Sequence, residues 1–311
     1  MDTLRRTLLG VFIILLVFAF LTNGVFGEAL PQYLAGVMVK SYDEKRAKAL
    51  EKFEEIIGKY IKEKGHLILK LKALTYEDLS REIRNGHVDF IWGYGHIVSM
   101  ELYEKFPIIP FIAPTLGEQR RPTFKRLLVT SKGSMGTLDT LKGKKLAFIG
   151  DEPWGFELLL LKIWLREKWG LKDLNHFFNL RGLKSDEGFF VPGSRRGSIY
   201  SIIVGEADVA ISHEFEYITQ EKLTPNAIKE KVQIAPFFNS SEEFYEAPAF
   251  VRKGLPQKDL ERLIQALLKM PEDPEGKQIL ISSKISGFVK VRDQDYQRIK
   301  EILEKKRKYG I

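Results

Sequence analysis

The sequence predicts an α/β protein in two lobes, each a largely parallel sheet flanked by helices, with two crossing segments forming a hinge. Three observations carry this prediction. From Pro31 onward short apolar runs alternate with segments of helical spacing, the order that layers helices on parallel strands. A helix–glycine–strand pattern occurs twice, as Asn85-Gly86-His87-Val88-Asp89-Phe90-Ile91 and as Val204-Gly205-Glu206-Ala207-Asp208-Val209-Ala210, about one domain length apart. Extended stretches at residues 124–130, 233–238 and 247–251 fall where a chain would pass between lobes and return.

In chain order, residues 34–39 form a short buried strand. Residues 43–64 carry Leu50, Phe53, Ile57, Tyr60 and Ile61 at helical spacing. A strand at 67–71, a helix at 76–85 closed by Gly86, and a strand at 88–92 follow, glycine suiting the left-handed position after a helix. Residues 134–148 read as a short helix, a glycine turn and a strand that enters the second lobe. The second copy of the repeat ends in Ser212, His213 and Glu214, as the first ends in Trp92, Tyr94 and His96. Helices near Leu260, Ile279 and Ile299 then pack on the first lobe. The expected division is 31–127 plus 246–311 for lobe 1 and 128–245 for lobe 2.

Residues 1–27 stand apart. Arg5 and Arg6 precede an apolar run at 8–21, and Asn23, Gly24 and Gly27 follow it. A basic start, apolar centre and small-residue exit make a secretory signal peptide. The uncharged stretch is also near the length of a membrane span, so a retained N-terminal anchor stays open.

Composition narrows the function. Of 311 residues, 44% are hydrophobic and 29% charged, which excludes a disordered or multi-span membrane chain. The net charge of +8 is dispersed along the sequence, whereas a nucleic-acid footprint clusters on one face. With no cysteine there are no disulfides, thiolate metal sites or cysteine nucleophiles.

The motifs of enzymes fail in turn. Gly93-Tyr94-Gly95 opens a dinucleotide fingerprint, but Val98 stands where its third glycine is needed. Lys142-Gly143-Lys144-Lys145 lacks the upstream glycine and the Ser or Thr of a phosphate loop. His213-Glu214 begins a zinc-protease motif, but Tyr217 occupies the second histidine position. No catalytic residue, metal or cofactor is therefore expected. An enzyme on the same fold remains the alternative, with Glu214, Asp151 and His96 as its acid or base candidates.

Several of these segments together resemble a known family. The strand around Val88, the run Leu141-Lys142-Gly143-Lys144-Lys145-Leu146-Ala147-Phe148, the strand around Asp208 and the segment from Ser286 through Tyr296 match in order. They are similar to the phosphate, phosphite and phosphonate-binding family of ABC-transporter substrate-binding proteins, which have the type II periplasmic binding protein fold. The resemblance implies an extracytoplasmic solute-binding protein. It would capture a small anion or zwitterion between its lobes and hand it to a membrane permease, or act as a membrane-anchored ligand sensor.

Carried onto this chain, the resemblance places ligand contacts at Tyr76, Trp92 and Tyr94 in the first lobe and at Gly155, Ser194 and Arg195 in the second. By their positions after strands or in the altered turn, His96, Asp151, Trp154, Phe156, His213 and Glu214 join them as candidate contacts. The family's Ser-Thr-Ser-Gly turn is replaced here by Gly150-Asp151-Glu152-Pro153-Trp154-Gly155. Hydroxyls that would hold phosphonate oxygens at a helix N-terminus give way to two carboxylates, one of which could instead cap the helix. Arg195 or Arg196 is placed to pair with an oxyanion. The implied pocket is more aromatic than a phosphonate pocket and mixed in charge.

Overall fold

The computed structural model describes residues 29–38, 44–92, 95–133, 137–149, 155–174, 177–183, 197–236, 238 and 242–311. The expected segment 1–27 and the residues Tyr94, Asp151, Trp154, Ser194 and Arg195 lie outside them. Among the described residues no helix is long and apolar enough to cross a membrane.

The first sheet is built from β1 (Gln32–Met38), β2 (Ile68–Leu74), β3 (Phe90–Trp92), β4 (Ile108–Thr115), β12 (Ala249–Arg252) and β13 (Gly287–Lys290). They lie side by side in the order β13-β4-β12-β3-β1-β2. Helices α1 (Glu44–Gly65), α2 (Tyr76–Arg84) and α3 (His96–Lys105) connect the early strands. The helices α8 (Gln257–Lys269), α9 (Pro274–Ser282) and α10 (Gln297–Tyr309) follow β12. Ile57, Tyr60 and Ile61 of α1 share a buried cluster with Leu263, Ile264 and Leu267 of α8 and Ile279 of α9. The C-terminal helices α8 and α9 thus pack with α1 on the first sheet.

The second sheet contains β6 (Arg126–Ser131), β7 (Lys145–Ile149), β8 (Asn179–Leu183), β9 (Val209–His213) and β10 (Val232–Ile234). Their order is β10-β6-β9-β7-β8. Its helices are α4 (Phe156–Trp169), α5 (Ser198–Ile203), α6 (Glu214–Leu223) and α7 (Pro225–Lys231). Because β6 begins at Arg126, the expected boundary between residues 127 and 128 falls inside a strand of this sheet. The chain enters through β5 (Thr123–Phe124) and leaves through β11 (Phe244–Tyr245), which pair antiparallel with each other.

The sheets are mixed rather than largely parallel. β1 pairs parallel with β2 and β3, whereas β12 and β4 run antiparallel to their neighbours. In the second sheet β7 is parallel to β8 and β9, while β6 is antiparallel to β9 and β10. The antiparallel members include β6 and β12, the strands entered directly from the crossings. Chain direction there is set by where the chain arrives and not by a helical crossover, so local periodicity carries no trace of it.

The two sequence copies build the same device. Gly86 and Gly205 both adopt left-handed backbone, φ 72° and 76°, which only glycine enters without strain. Three residues later an aspartate clasps the neighbouring strand. Leu34 N donates to Asp89 Oδ2 at 3.0 Å, and Asp89 N donates to Leu34 O at 2.9 Å. Lys145 N donates to Asp208 Oδ2 at 2.9 Å, and Asp208 N donates to Lys145 O at 3.0 Å.

Candidate functional site

Beside the crossing pair, side chains from both sheets meet in a buried cluster. Arg126 opens β6 with its side chain fully buried. It stands on the face that β5 and β6 share with Phe124, Leu128 and Thr130, all buried at alternate positions. Its Nε lies 2.8 Å from Glu157 Oε1 in the first turn of α4, and its Nη2 lies 3.9 Å from Glu246 Oε1 just after β11. Its Nη1 donates to Phe124 O at 3.0 Å. The guanidinium also faces the rings of Phe156 and Phe244, at 5.5 and 5.9 Å to their centroids, a favourable placement for a planar cation.

His96 enters from the first sheet, at the start of the helix that follows β3. Its ring stacks on Phe156 at 4.7 Å and 23°. Its Nε2 lies 2.5 Å from Tyr245 O and donates to that carbonyl. Burial lowers the His96 pKa and Arg126 lowers it further, against the opposing pull of Glu246. The ring is neutral at physiological pH.

His213 comes from the end of β9. Its Nδ1 accepts the Phe215 backbone N–H at 3.0 Å and thereby caps α6. The proton is therefore on Nε2, which donates to Glu246 Oε1 at 2.6 Å. Burial alone raises the Glu246 pKa, but His213, Arg126 and His96 outweigh it and hold the carboxyl at about 2. Tyr296, wholly buried, donates from its hydroxyl to Glu246 O at 2.9 Å. Among the described residues of this cluster, one guanidinium faces two carboxylates.

A fully buried carboxylate lies close by, in the first turn of α6. Glu216 accepts hydrogen bonds from Ser198 Oγ at 3.1 Å, from Ile199 N at 3.0 Å and from Ser212 Oγ. Burial nevertheless raises its pKa, and the charge of Glu157 adds to that rise.

Of the residues named from the sequence, His96, Phe156 and His213 converge in the cluster, and Gly155 caps α4 at its edge. Glu214 is turned aside. It accepts from Arg121 Nη2 at 3.0 Å and Lys125 N at 3.1 Å. It also lines a recess of about 390 Å³ with Lys125, Tyr217 and Phe238. Trp92 packs edge-on against Phe288 of β13 at 5.5 Å, and Tyr76 accepts from Lys105 Nζ at 2.9 Å. Neither of those two pairings includes a member of the cluster.

Arg126, Glu157, Glu246 and Tyr296 escaped the sequence reading. A signal for two of them was present. Arg126 interrupts an apolar alternation in the entering segment, and Glu246 stands two residues after Phe244 in the returning one. A charge on the inward face of a strand asks for a buried partner.

A family profile described as an ABC transporter, phosphonate, periplasmic substrate-binding protein matches residues 43–296. Among curated protein sequences none matches. A binding protein component of an ABC phosphonate transporter from Pseudomonas aeruginosa superposes with a TM-score of 0.56 at 16% identity, covering 90% of this chain and 88% of the other. PhnD1 from Prochlorococcus marinus, solved with methylphosphonate, gives 0.57 at 16%, with 90% and 98% covered. XAC2383 from Xanthomonas citri, solved with ATP, gives 0.60 at 17%, again with 90% and 98% covered. At such identities the likeness speaks for the fold.

Proposed function

The chain belongs to the family of periplasmic substrate-binding proteins of ABC phosphonate transporters, and from that premise we propose that it captures a small zwitterion where its two sheets meet. Members of this family work outside the cytoplasm, bind small solutes and deliver them to a membrane permease. The ligand, the contact residues, the lobe limits and any attachment through residues 1–27 belong to the proposal. So does the absence of turnover.

The observation that carries the ligand class is the charge count around Arg126. Its guanidinium is bracketed by Glu157 and Glu246, with His96 and His213 beside them. Among the described residues, a phosphonate dianion entering here meets more negative than positive charge and must displace Glu157 from its partner. A solute carrying both an ammonium and an acid group offers each carboxylate and the guanidinium a counter-charge. His96, Gly155, Phe156 and His213 line this ligand. Trp92, Tyr76 and Glu214 form outer walls, and Tyr94, Asp151, Trp154, Ser194 and Arg195 complete the set. The limits proposed for the lobes are those expected from the sequence, 31–127 plus 246–311 and 128–245, moved at the entry so that β6 falls wholly in lobe 2, with β5 and β11 as the hinge.

The test is a thermal-shift titration with methylphosphonate, aminoalkylphosphonates, alkylsulfonates, amino-sulfonates and simple carboxylates. Ligand binding raises Tm progressively with concentration. Amine-bearing acids are expected to raise it and their amine-free counterparts to do so weakly or not at all. A shift from methylphosphonate equal to that of its amino analogue would overturn the zwitterion reading, and product formation from any bound solute would overturn the binding reading.

A further inference from the structure

Helix α4 grows out of the second sheet, yet it is buried on two sides. Leu158, Leu161 and Leu165 form one stripe, clustered with Leu146, Phe148 and Ile211 of the second sheet. Phe156, Leu159 and Ile163 form another, clustered with Ile97, Leu102, Ile108 and Phe250 of the first-sheet body and Ile299, Ile302 and Leu303 of α10. Each stripe follows i, i+3, i+7 spacing, so the helix is apolar nearly all round and shared between two cores.

The last turn of α10 then closes over both. Toward α4, Lys305 Nζ lies 2.8 Å from Glu167 Oε1, and the Tyr309 hydroxyl donates to the same oxygen at 3.0 Å. Arg166 Nη1 donates to Tyr309 O at 2.8 Å while its guanidinium faces the Tyr309 ring at 5.0 Å. Toward α3, Lys306 Nζ lies 2.9 Å from Glu101 and Arg307 Nη1 2.7 Å from Glu104.

We propose that residues 305–309 act as a strap that ties the first-sheet helix α3 to the second-sheet helix α4 and sets how readily the lobes part. The strap reaches the ligand site through α4 itself, whose first turn carries Phe156 and Glu157. Parting the lobes separates the Phe156, Leu159 and Ile163 stripe from its cluster and breaks the bonds at Glu167 and Arg166. A strapped protein therefore rests closed, with brief opening as the step that admits solute. The inference rests on the reading that the lobes close on a ligand but not on the ligand's identity.

The natural chain has no cysteine, so two spin labels can be placed cleanly at Lys258→Cys on α8 and Glu230→Cys on α7. Pulsed EPR on the full chain without ligand is expected to give one dominant distance. Adding Glu167→Gln with Lys305→Met is expected to raise the population at a longer distance by about two- to five-fold, the worth of one exposed ion pair. Tyr309→Phe, which removes only the hydroxyl, supplies a milder step in the same direction. Distance distributions unchanged in both variants would overturn the strap. So would equal broadening from Lys59→Met, which removes an exposed cation that α1 pairs with Glu275 away from the strap. Since the readout needs no solute, failure of the strap and failure of the zwitterion reading are separable.

Discussion

The Arg126 guanidinium and the Glu157 carboxylate stand 2.8 Å apart with the arginine wholly buried. Arg126 begins β6 of the second sheet, and Glu157 stands in the first turn of α4. Their pairing thus fixes α4 against the crossing. Taking both charges out of water is expensive, and only their mutual attraction and the surrounding hydrogen bonds offset it.

Replacing one partner is therefore expected to cost far more than replacing both. Arg126→Met leaves the partly buried Glu157 and Glu246 with their main cation gone, and should lower stability by about 3 kcal/mol, the low end for breaking a buried pair. Arg126→Met with Glu157→Gln should recover part of that loss. Urea melts of the two single variants and the double variant give the coupling. Additive losses would mean that the two groups do not sense each other.

Acidification should loosen the same cluster. A histidine whose folded pKa is lowered stabilises the protein above its unfolded value of 6.5 and loses that stability as pH falls through it. Glu246, held at about 2 against an ordinary 4.5, contributes above 4.5 and loses its contribution between 4.5 and 2. Both signs agree. Tm should drop as pH falls from 7 toward 4, and His96→Phe should flatten the part of the slope just below 6.5. An unaltered slope in that variant would assign the acid sensitivity elsewhere.

The repeated clasp makes a paired prediction. Gly205→Ala meets no atom within 4 Å of its new Cβ, so its cost is conformational, about 1–2 kcal/mol for left-handed backbone. Asp208→Ala should cost about 1 kcal/mol by removing the acceptor for Lys145 N, and Asp208→Asn less. Gly86→Ala should match Gly205→Ala within experimental error, since both sites are open and similarly twisted. Denaturant midpoints that differ widely between the two glycines would show the copies to be only superficially alike.

This clasp also marks how far the sequence can be read. Glycine at a helix end and a buried strand after it are local signals, so β3, β9 and their neighbours were legible within a few residues. Of the crossing pair, Phe124 of β5 fell within a stretch legible as extended chain, whereas β11 at Phe244–Tyr245 lay outside every such stretch. Arg126 showed only as a charge interrupting such a segment, since its partners Glu157 and Glu246 arrive from distant segments and nothing nearby names them. The shared burial of α4 was hidden for a related reason. Its two apolar stripes read as one apolar helix until the positions of both cores are known. Trp92 illustrates the converse limit, where an aromatic after a strand reads as a cleft wall while its ring packs on Phe288.

Glu216 supplies a prediction of opposite sign to the acid-sensitive cluster. Burial raises its folded pKa above 4.5, so its stabilising contribution is complete below the unfolded value and declines as pH rises through the folded one. Glu216→Gln removes that decline. The amide oxygen can keep the Ile199 N–H, and the hydroxyls of Ser198 and Ser212 can rotate to accept from the new NH₂ group. The variant should therefore match or exceed the parent in stability at pH 8 and lose its advantage at pH 4. Glu216→Ala, by contrast, leaves Ile199 N and two buried serines without their acceptor, at about 1–3 kcal/mol. Chemical denaturation of both variants at the two pH values separates a charge effect from loss of hydrogen bonds. A Gln variant destabilised equally at pH 8 and pH 4 would show that the carboxylate is held for its second oxygen and not despite its charge.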